Sequence, residues 1–301
     1  MRVAVIDIGS NTARLLVATV TTDGLIVPLA TERTYLRLGS EIELTGTVGP
    51  EKIDQCALIC EKYVRRCGEL GSELTTVIVT APGRQAASAA ALTEAITRAT
   101  GLPVRVLSAE SEGRLAYAGA VAVAVAQTTR KLPEVVAVVD SGGGSTEIAV
   151  GTPALGATWV RSVDLGSLRL TRAYLHDDPP TARQIGAARD AVRDALSELS
   201  PPPAGLGVAV GGSARALGKM IGQQLDADTL DDTVTLLARG PAARATGSFR
   251  ITVERAETLL AGALLLGETC RVLGMSLEIG RGGLREGAAL ELVAQEAARA
   301  A

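Results

Sequence analysis

The sequence predicts an α/β protein made of two related halves. Three observations carry this. Strand-like and helix-like segments alternate along the chain, a strand, aspartate, glycine turn, strand unit occurs twice, and the composition supplies a core of small aliphatic residues. The two copies read VIDIGSNTARLLV and VVDSGGGSTEIAV. Aligned without a gap, Asp7 falls on Asp140, Gly9 on Gly142, Asn11 on Gly144, Thr12 on Ser145 and Arg14 on Glu147. A chain duplicated in this way is expected to hold its ligand in the cleft between the two domains.

Taken in order, RVAVID is a strand, IGSNTA a turn and RLLVATV a second strand, because apolar residues run up to a Gly/Ser/Asn cluster and resume after it. Helical spacing of apolar residues follows over 51–70, then the strand TTVIVTA and a helix from about 85 to 100. PVRVLSA is a strand feeding a helix that starts near Ser111. VVAVVD, the glycine loop and EIAVG repeat the opening plan. A helix fills 181–199 until SPPPAG stops it, since proline cannot continue the hydrogen-bond ladder. GLGVAVGG is a buried strand, SARALGKM opens a helix, RGPAARATGSFR (239–250) reads as a loop, and ERAETLLAGALLLGETCRVLG is helical. EIGRGGLREGAALELVAQEAARA closes the chain as a turn running into a helix. The predicted domains are 1–125, with a C-terminal helix 286–301 added to it, and 134–285, the KLPE stretch around Pro133 marking the boundary.

Composition narrows the function classes. With 47% hydrophobic residues among 301 the chain has material for substantial cores, so global disorder is excluded. Aromatics are 2%, too few for stacking platforms on single-stranded nucleic acid. A net charge of −3 gives no basic field, so no nucleic-acid partner is expected and an anionic ligand needs local arginines and backbone N–H groups. No secretory signal is visible, and the apolar run at 116–126 falls short of the roughly 20 residues of a spanning helix. A soluble, cytoplasmic protein without membrane contact is expected. Cys56, Cys60 and Cys67 share one helical face and read, with Cys270, as small core residues rather than a zinc site. The one histidine, His176, lies in the polar stretch YLHDDPP and reads as a loop residue.

The glycine turns match neither a P-loop nor a dinucleotide fingerprint, because a strand rather than a helix follows them. They are hairpin tips. Glycines there let backbone N–H groups converge on an anion, and Ser10, Thr12, Ser145 and Thr146 add hydroxyls. A plain turn is the alternative, but it needs one or two glycines where DSGGGST has three. Asp140 and Glu147 fit beside a phosphate only if a hard cation stands between, as Mg²⁺ does with one or two carboxylates and phosphate oxygens. In LSAESEGRLAYAG, Glu110 and Glu112 follow a strand at a helix start; they either complement the helix dipole or place a base for water. Arg84, in VTAPGRQA, is by itself either a surface arginine or a phosphate ligand.

Together DIGSNTARLL, VTAPGRQA, LSAESEGRLAYAG, VVDSGGGSTEIAVG, VDLGSLRLTRAYL, AVGGSARAL and GRGGLREGAAL resemble, in order, the motifs of the exopolyphosphatase / guanosine pentaphosphate phosphohydrolase family. The resemblance implies two similar actin-like (ribonuclease-H-like) α/β domains with the active site in the cleft between them. It implies Glu112 as general base, Asp140 and Glu147 as partners of a catalytic Mg²⁺ or Mn²⁺, and Arg84 beside the phosphates. Gly142, Gly143, Gly144, Ser145 and Thr146 match the main phosphate loop, and Asp7, Ser10, Asn11 and Thr12 the first loop. Gly211, Gly212 and Ser213 match the turn that holds adenosine in actin-like relatives. Glu112-Gly113-Arg114 stands where Glu-Ala-Arg is usual, and Pro82 replaces a common alanine. Longer members carry a C-terminal HD-type region; this sequence ends at Ala301, which favours short polymers as substrate. The expected activity is hydrolysis of terminal phosphate from inorganic polyphosphate, by a homodimer on the family pattern. Guanosine pentaphosphate (or tetraphosphate) recognised by the same residues is the nearest alternative, an actin-like kinase and a catalytically weak binding sensor the more distant ones.

Overall fold

The chain opens on a hairpin in which β1 (Arg2–Ile8) runs antiparallel to β2 (Thr12–Val20), and β2 pairs in turn with β3 (Ile26–Tyr35). The computed structural model describes residues 1–128 and 131–300, and the chain divides into two units, Met1–Thr129 with Gly282–Ala301, and Arg130–Arg281. In the first unit α1 (Leu38–Thr45), α2 (Pro50–Glu69), β4 (Leu74–Val79), α3 (Ala81–Gln85), α4 (Ala89–Thr100), β5 (Val104–Val106) and α5 (Ala109–Gln127) follow. Its sheet has the order β3-β2-β1-β4-β5, with β4 parallel to β1 and β5 parallel to β4.

The second unit comprises β6 (Val136–Ser141), β7 (Thr146–Thr152), β8 (Gly156–Val163), α6 (Ser167–Tyr174), α7 (Ala182–Leu196), β9 (Leu206–Val210), α8 (Gly211–Ile221) and β10 (Gln224–Leu225). After these come α9 (Ala227–Leu237), α10 (Ala243–Phe249), α11 (Val253–Ala256), α12 (Leu259–Leu273) and β11 (Leu277–Ile279). Its sheet order, β10-β11-β9-β6-β7-β8, repeats the first sheet strand for strand once β10 is set aside. β6, β7 and β8 are the antiparallel set, while β9 and β11 are the parallel strands. A final helix, α13 (Leu284–Ala300), belongs to the first unit; residue 301, the last of the predicted helix 286–301, lies outside the described residues.

The continuous apolar runs of the parallel strands have a simple cause: both faces of each sheet are covered, so neither set of alternating side chains meets water. Ala4, Ile6 and Ile8 join Cys56, Cys60, Tyr63, Leu92 and Ile96 in one core, and Val3 and Val5 join Ile78, Leu115, Leu284 and Ala288 in another. All four cysteines are free and buried, as expected of small core residues, and burial pushes the Cys67 thiol up to about 11 and that of Cys270 to about 12. His176 lies between α6 and α7, outside both helices, as expected. Among the described residues no helix is long and apolar enough to cross a membrane.

Some local readings change. The helix expected from about 85 to 100 starts later, as α4 at Ala89; a separate short helix, α3, precedes it and ends at Gln85 because the chain extends at Ala86. The Gly/Arg stretch 239–250 is not all loop; it contains α10. In the second unit α12 is buried along Leu259–Cys270, Glu268 included. That carboxylate is matched by Arg189 Nη1 at 2.8 Å, Arg193 Nε at 3.2 Å and Arg271 Nη1 at 3.1 Å. Arg189 and Arg271 also donate to Asp231, at 2.7 Å and 2.5 Å, so one ionic network ties α7, α9 and α12 together.

Partial burial works against ionising Asp231, but the hydrogen bonds and charges of Arg189 and Arg271 outweigh it and hold the carboxyl below its ordinary value of 3.8. A lowered carboxyl contributes stability above the unfolded value and loses it as pH falls through the folded one. Asp231→Asn is therefore expected to cost about 1 kcal/mol at neutral pH, a figure discounted for the solvent that reaches this group. The deficit relative to the parent should close as the medium is taken well below 3.8. Urea unfolding of both proteins at the two pH values checks this; an equal deficit at both contradicts it.

Candidate functional site

In open α/β sheets ligands gather beyond the carboxyl ends of the parallel strands. The sequence-predicted residues lie there in each unit. Ser10 and Asn11 follow β1, Arg84 follows β4, and Glu112 follows β5; in the second unit Gly142–Gly144 follow β6 and Gly211–Ser213 follow β9.

The two glycine turns are the same structure built twice. Gly9 N–H donates to Thr12 O at 3.0 Å, and Gly142 N–H donates to Ser145 O at 3.0 Å, the equivalent bond one repeat later. Each turn is then tied to a short helix after its third strand. Leu36 and Arg37 N–H donate to Asn11 O, and Gly39 N–H donates to Ser10 O at 2.7 Å. In the second copy Ser167 N–H donates to Gly142 O at 2.9 Å, while Leu168 and Arg169 N–H both donate to Gly143 O at 3.0 Å. The first N–H groups of a helix have no partner within it, so α1 and α6 satisfy theirs on loop carbonyls. With the carbonyls turned back, the tip N–H groups are left for an anion: among the described residues, Ser10, Asn11, Gly143, Gly144 and Ser145 donate no backbone hydrogen bond. Buried hydroxyls point the same way. Ser10 Oγ, Ser40 Oγ and Ser141 Oγ have no partner among the described residues, which calls for a ligand or water.

Gly166 is what lets α6 come so close. A Cβ there would collide with the backbone of Gly143 and Gly144. Thr146 departs from the expectation of a phosphate hydroxyl, since its Oγ1 donates to Leu165 O at 2.8 Å. Thr12 opens β2, where its carbonyl closes the first turn.

Asp140 and Glu147 stand directly opposite each other across β6 and β7. The equivalent pair in the first copy is Asp7 and Arg14, across β1 and β2. Side chains at such positions approach closely, and like charges repel there. Where the first hairpin carries its own cation, the second sets two carboxylates face to face. Glu147 is 2% exposed, and Ser162 Oγ on β8 donates to its Oε1 at 2.8 Å. Two opposed carboxylates beside an anion loop fit a hard divalent cation completed by substrate oxygens, although among the described residues no cluster of three or more metal-binding side chains occurs. Gly211 sits against this pair at φ +94°, and a Cβ on it would lie 2.8 Å from Asp140 Oδ1. Gly211–Ser213 form the first turn of α8 rather than a free turn; Ser213 Oγ accepts from Arg255 at 3.3 Å, and the Arg255 guanidinium covers Gly212.

In the first unit the two glutamates of SAESEG separate cleanly. Glu110 is exposed and pairs with Arg114 one turn on, a surface contact. Glu112 is 8% exposed and accepts from Arg84 Nη1 at 2.8 Å, while the same nitrogen donates to Leu107 O at 2.8 Å. Ser108 caps α5 by accepting from Ser111 N–H at 3.1 Å, so the helix start that carries Glu112 is fixed. The pair holds a buried carboxylate in one orientation at the start of α5. Ser162, Gly166 and Arg255 escape a reading of loops alone. Each acts on a motif residue from a distant segment.

A model of the Ppx/GppA phosphatase family matches residues 16–296. Exopolyphosphatase 1 of Mycobacterium tuberculosis is 27% identical over 317 residues, which span 99% of this chain and 90% of that relative. Exopolyphosphatase 2 of the same organism is 33% identical over 203 residues, 65% of this chain and 61% of the relative. The crystal structure of the Aquifex aeolicus member of the Ppx/GppA family superposes with a TM-score of 0.81 at 28% identity, covering 98% of each chain. Superposition and the repeated sheet order agree on the actin-like, two-domain α/β fold that the sequence predicts.

Gly166→Ala is expected to push the glycine loop off α6. Pyrophosphate binding by calorimetry should weaken by roughly tenfold or more, and urea unfolding should show a loss of about 1–3 kcal/mol from overpacking. Unchanged affinity in a folded variant would show that the tie between α6 and the loop does not shape the anion site.

Proposed function

This chain belongs to the Ppx/GppA phosphatase family, and from that premise we propose that it is an exopolyphosphatase, releasing terminal phosphate from inorganic polyphosphate by attack of water. The observation that carries the reading is the buried Arg84–Glu112 pair beyond the carboxyl end of β5. The names of its mycobacterial relatives supply the substrate class.

The chemistry asks little covalent work of the protein. A water oxygen bonds to the terminal phosphorus, the bridging P–O bond breaks, its electron pair leaves with the shortened polymer, and the water proton passes to Glu112. Phosphoryl transfer runs through a loose transition state, so orienting the water matters more than the strength of the base. Arg84 meets that demand by fixing Oε2 of Glu112. In the first unit the N–H groups of Ser10 and Asn11, with Ser10 Oγ, offer donors to phosphate oxygens; in the second unit those of Gly143, Gly144 and Ser145, with Ser141 Oγ, do the same. Asp7 stands at the strand end behind the first loop. Asp140 and Glu147 would hold the Mg²⁺ or Mn²⁺, with Ser162 fixing Glu147. When bound, the ion neutralises charge on the phosphate oxygens. The four free, buried thiols suit a reducing compartment, and we place the protein in the cytoplasm.

Two substitutions separate these roles. Glu112→Gln should lower kcat for phosphate release by roughly 10²–10⁴ while leaving Mg²⁺ binding by calorimetry intact. Asp140→Asn should lose both. Phosphate release near the parental rate in folded Glu112→Gln would remove the assigned base, and undiminished Mg²⁺ binding in Asp140→Asn would remove the assigned metal ligand. Running the parent on guanosine pentaphosphate beside polyphosphates of several lengths ranks the substrates.

A further inference from the structure

The second unit contains a cavity of about 560 Å³ lined by residues of α6, α8, α9, α10 and α12 and of the loops beside them. None of the residues assigned to phosphate or metal lines it. Its volume falls in the range that encloses small organic ligands. Leu168, Met220, Phe249 and Leu260 contribute apolar surface, and Phe249 is the single phenylalanine of the chain. Around them stand Arg172, Arg239 and Arg244, and among the described residues none of these guanidinium groups has an ion-pair or hydrogen-bond partner.

The carboxylates of the wall are already engaged. Asp177 accepts from Gln184 Nε2 at 3.1 Å, Asp178 accepts from Ala242 N–H at 2.7 Å, and Glu257 has an interaction of its own. With those carboxylates already held by donors, the guanidinium groups of Arg172, Arg239 and Arg244 remain for an anion beside an apolar floor. Inorganic phosphate or a bare polyphosphate gains nothing from such a floor, whereas an apolar group capped by an anion satisfies both parts. We propose that this cavity binds an organic anion with an apolar body: an acyl or aromatic group ending in a carboxylate, sulfonate or phosphate. An occupant would touch Leu168, whose N–H holds Gly143 O at 3.0 Å, and so would rest on the helix that anchors the glycine loop.

The test reads binding and does not depend on turnover, so it stands or falls apart from the proposed reaction. Anilinonaphthalene sulfonate titrated into the full chain should bind at one saturable site by fluorescence. Arg239→Ala with Arg244→Ala should weaken it by roughly tenfold or more through loss of charge-assisted contacts. Met220→Trp, which fills the cavity without changing charge, should abolish it, so the outcome does not rest on the folding of one variant. Displacement by decanoate supports the proposal and points to an acyl source; displacement by adenosine monophosphate supports it and points to a nucleotide source. Failure of both to compete, competition by orthophosphate at equal concentration, or unaltered binding in both variants overturns it.

Discussion

The structure turns on a hydrogen-bonding constraint at two hairpin tips. A tight turn in a buried setting has carbonyls to satisfy as well as N–H groups, and the backbone cannot leave either without a partner. Here N–H groups at and just before the start of a short helix take the carbonyls of Ser10 and Asn11 in one copy, and those opening α6 take the carbonyls of Gly142 and Gly143 in the other. α1 and α6 solve two problems at once, since a helix start must also find acceptors. What remains unpaired at the tip is a set of N–H donors, an arrangement suited to an anion. The glycine at 166 serves the same end, because a Cβ there would collide with the backbone of Gly143 and Gly144.

Duplication then allows divergence. Position for position, Asp7 faces Arg14 and Asp140 faces Glu147. One hairpin balances its aspartate with an internal cation, and the other repeats the negative charge. A pair of opposed carboxylates is costly in a half-buried site unless something positive accompanies it. This contrast between copies argues for a cation at the second hairpin more firmly than either carboxylate does alone. The carboxylate proposed as the base belongs to a different level of the design. Glu112 depends on Arg84, from the segment after β4, and both residues sit where parallel strands end.

Much of this was legible before any coordinates. The hairpins were readable because aspartate, glycine and β-branched residues signal a turn within a few positions, and their repetition exposed the duplicated plan. Buried β1 and β6 stood out as unbroken apolar runs. The edge strands β3 and β8 did not, since exposed polar residues interrupt their pattern and Pro28 lies within β3. α10 was hidden by the Gly/Arg composition of its surroundings. Site residues divided along the same line. Placement after a strand leaves Glu110 and Glu112 equal and only the family resemblance singles out Glu112, while its pairing with Arg84 joins positions 28 residues apart. The bond from Ser162 to Glu147 and the approach of Gly166 depend on strands and helices coming together, which no local spacing encodes. Thr146 looked like a phosphate donor because a hydroxyl follows glycines, yet its hydroxyl serves Leu165 O.

The most direct measurement of the central claim is amide NMR on the Glu112→Gln variant, titrated with tripolyphosphate in the presence of Mg²⁺. The amide resonances of Ser10, Asn11, Gly143, Gly144 and Ser145 should move strongly as the anion binds. Those of Leu168 and Arg169, already donating to Gly143 O, should move little by comparison. Large shifts confined to other regions, with the tip amides unmoved at saturation, would contradict it.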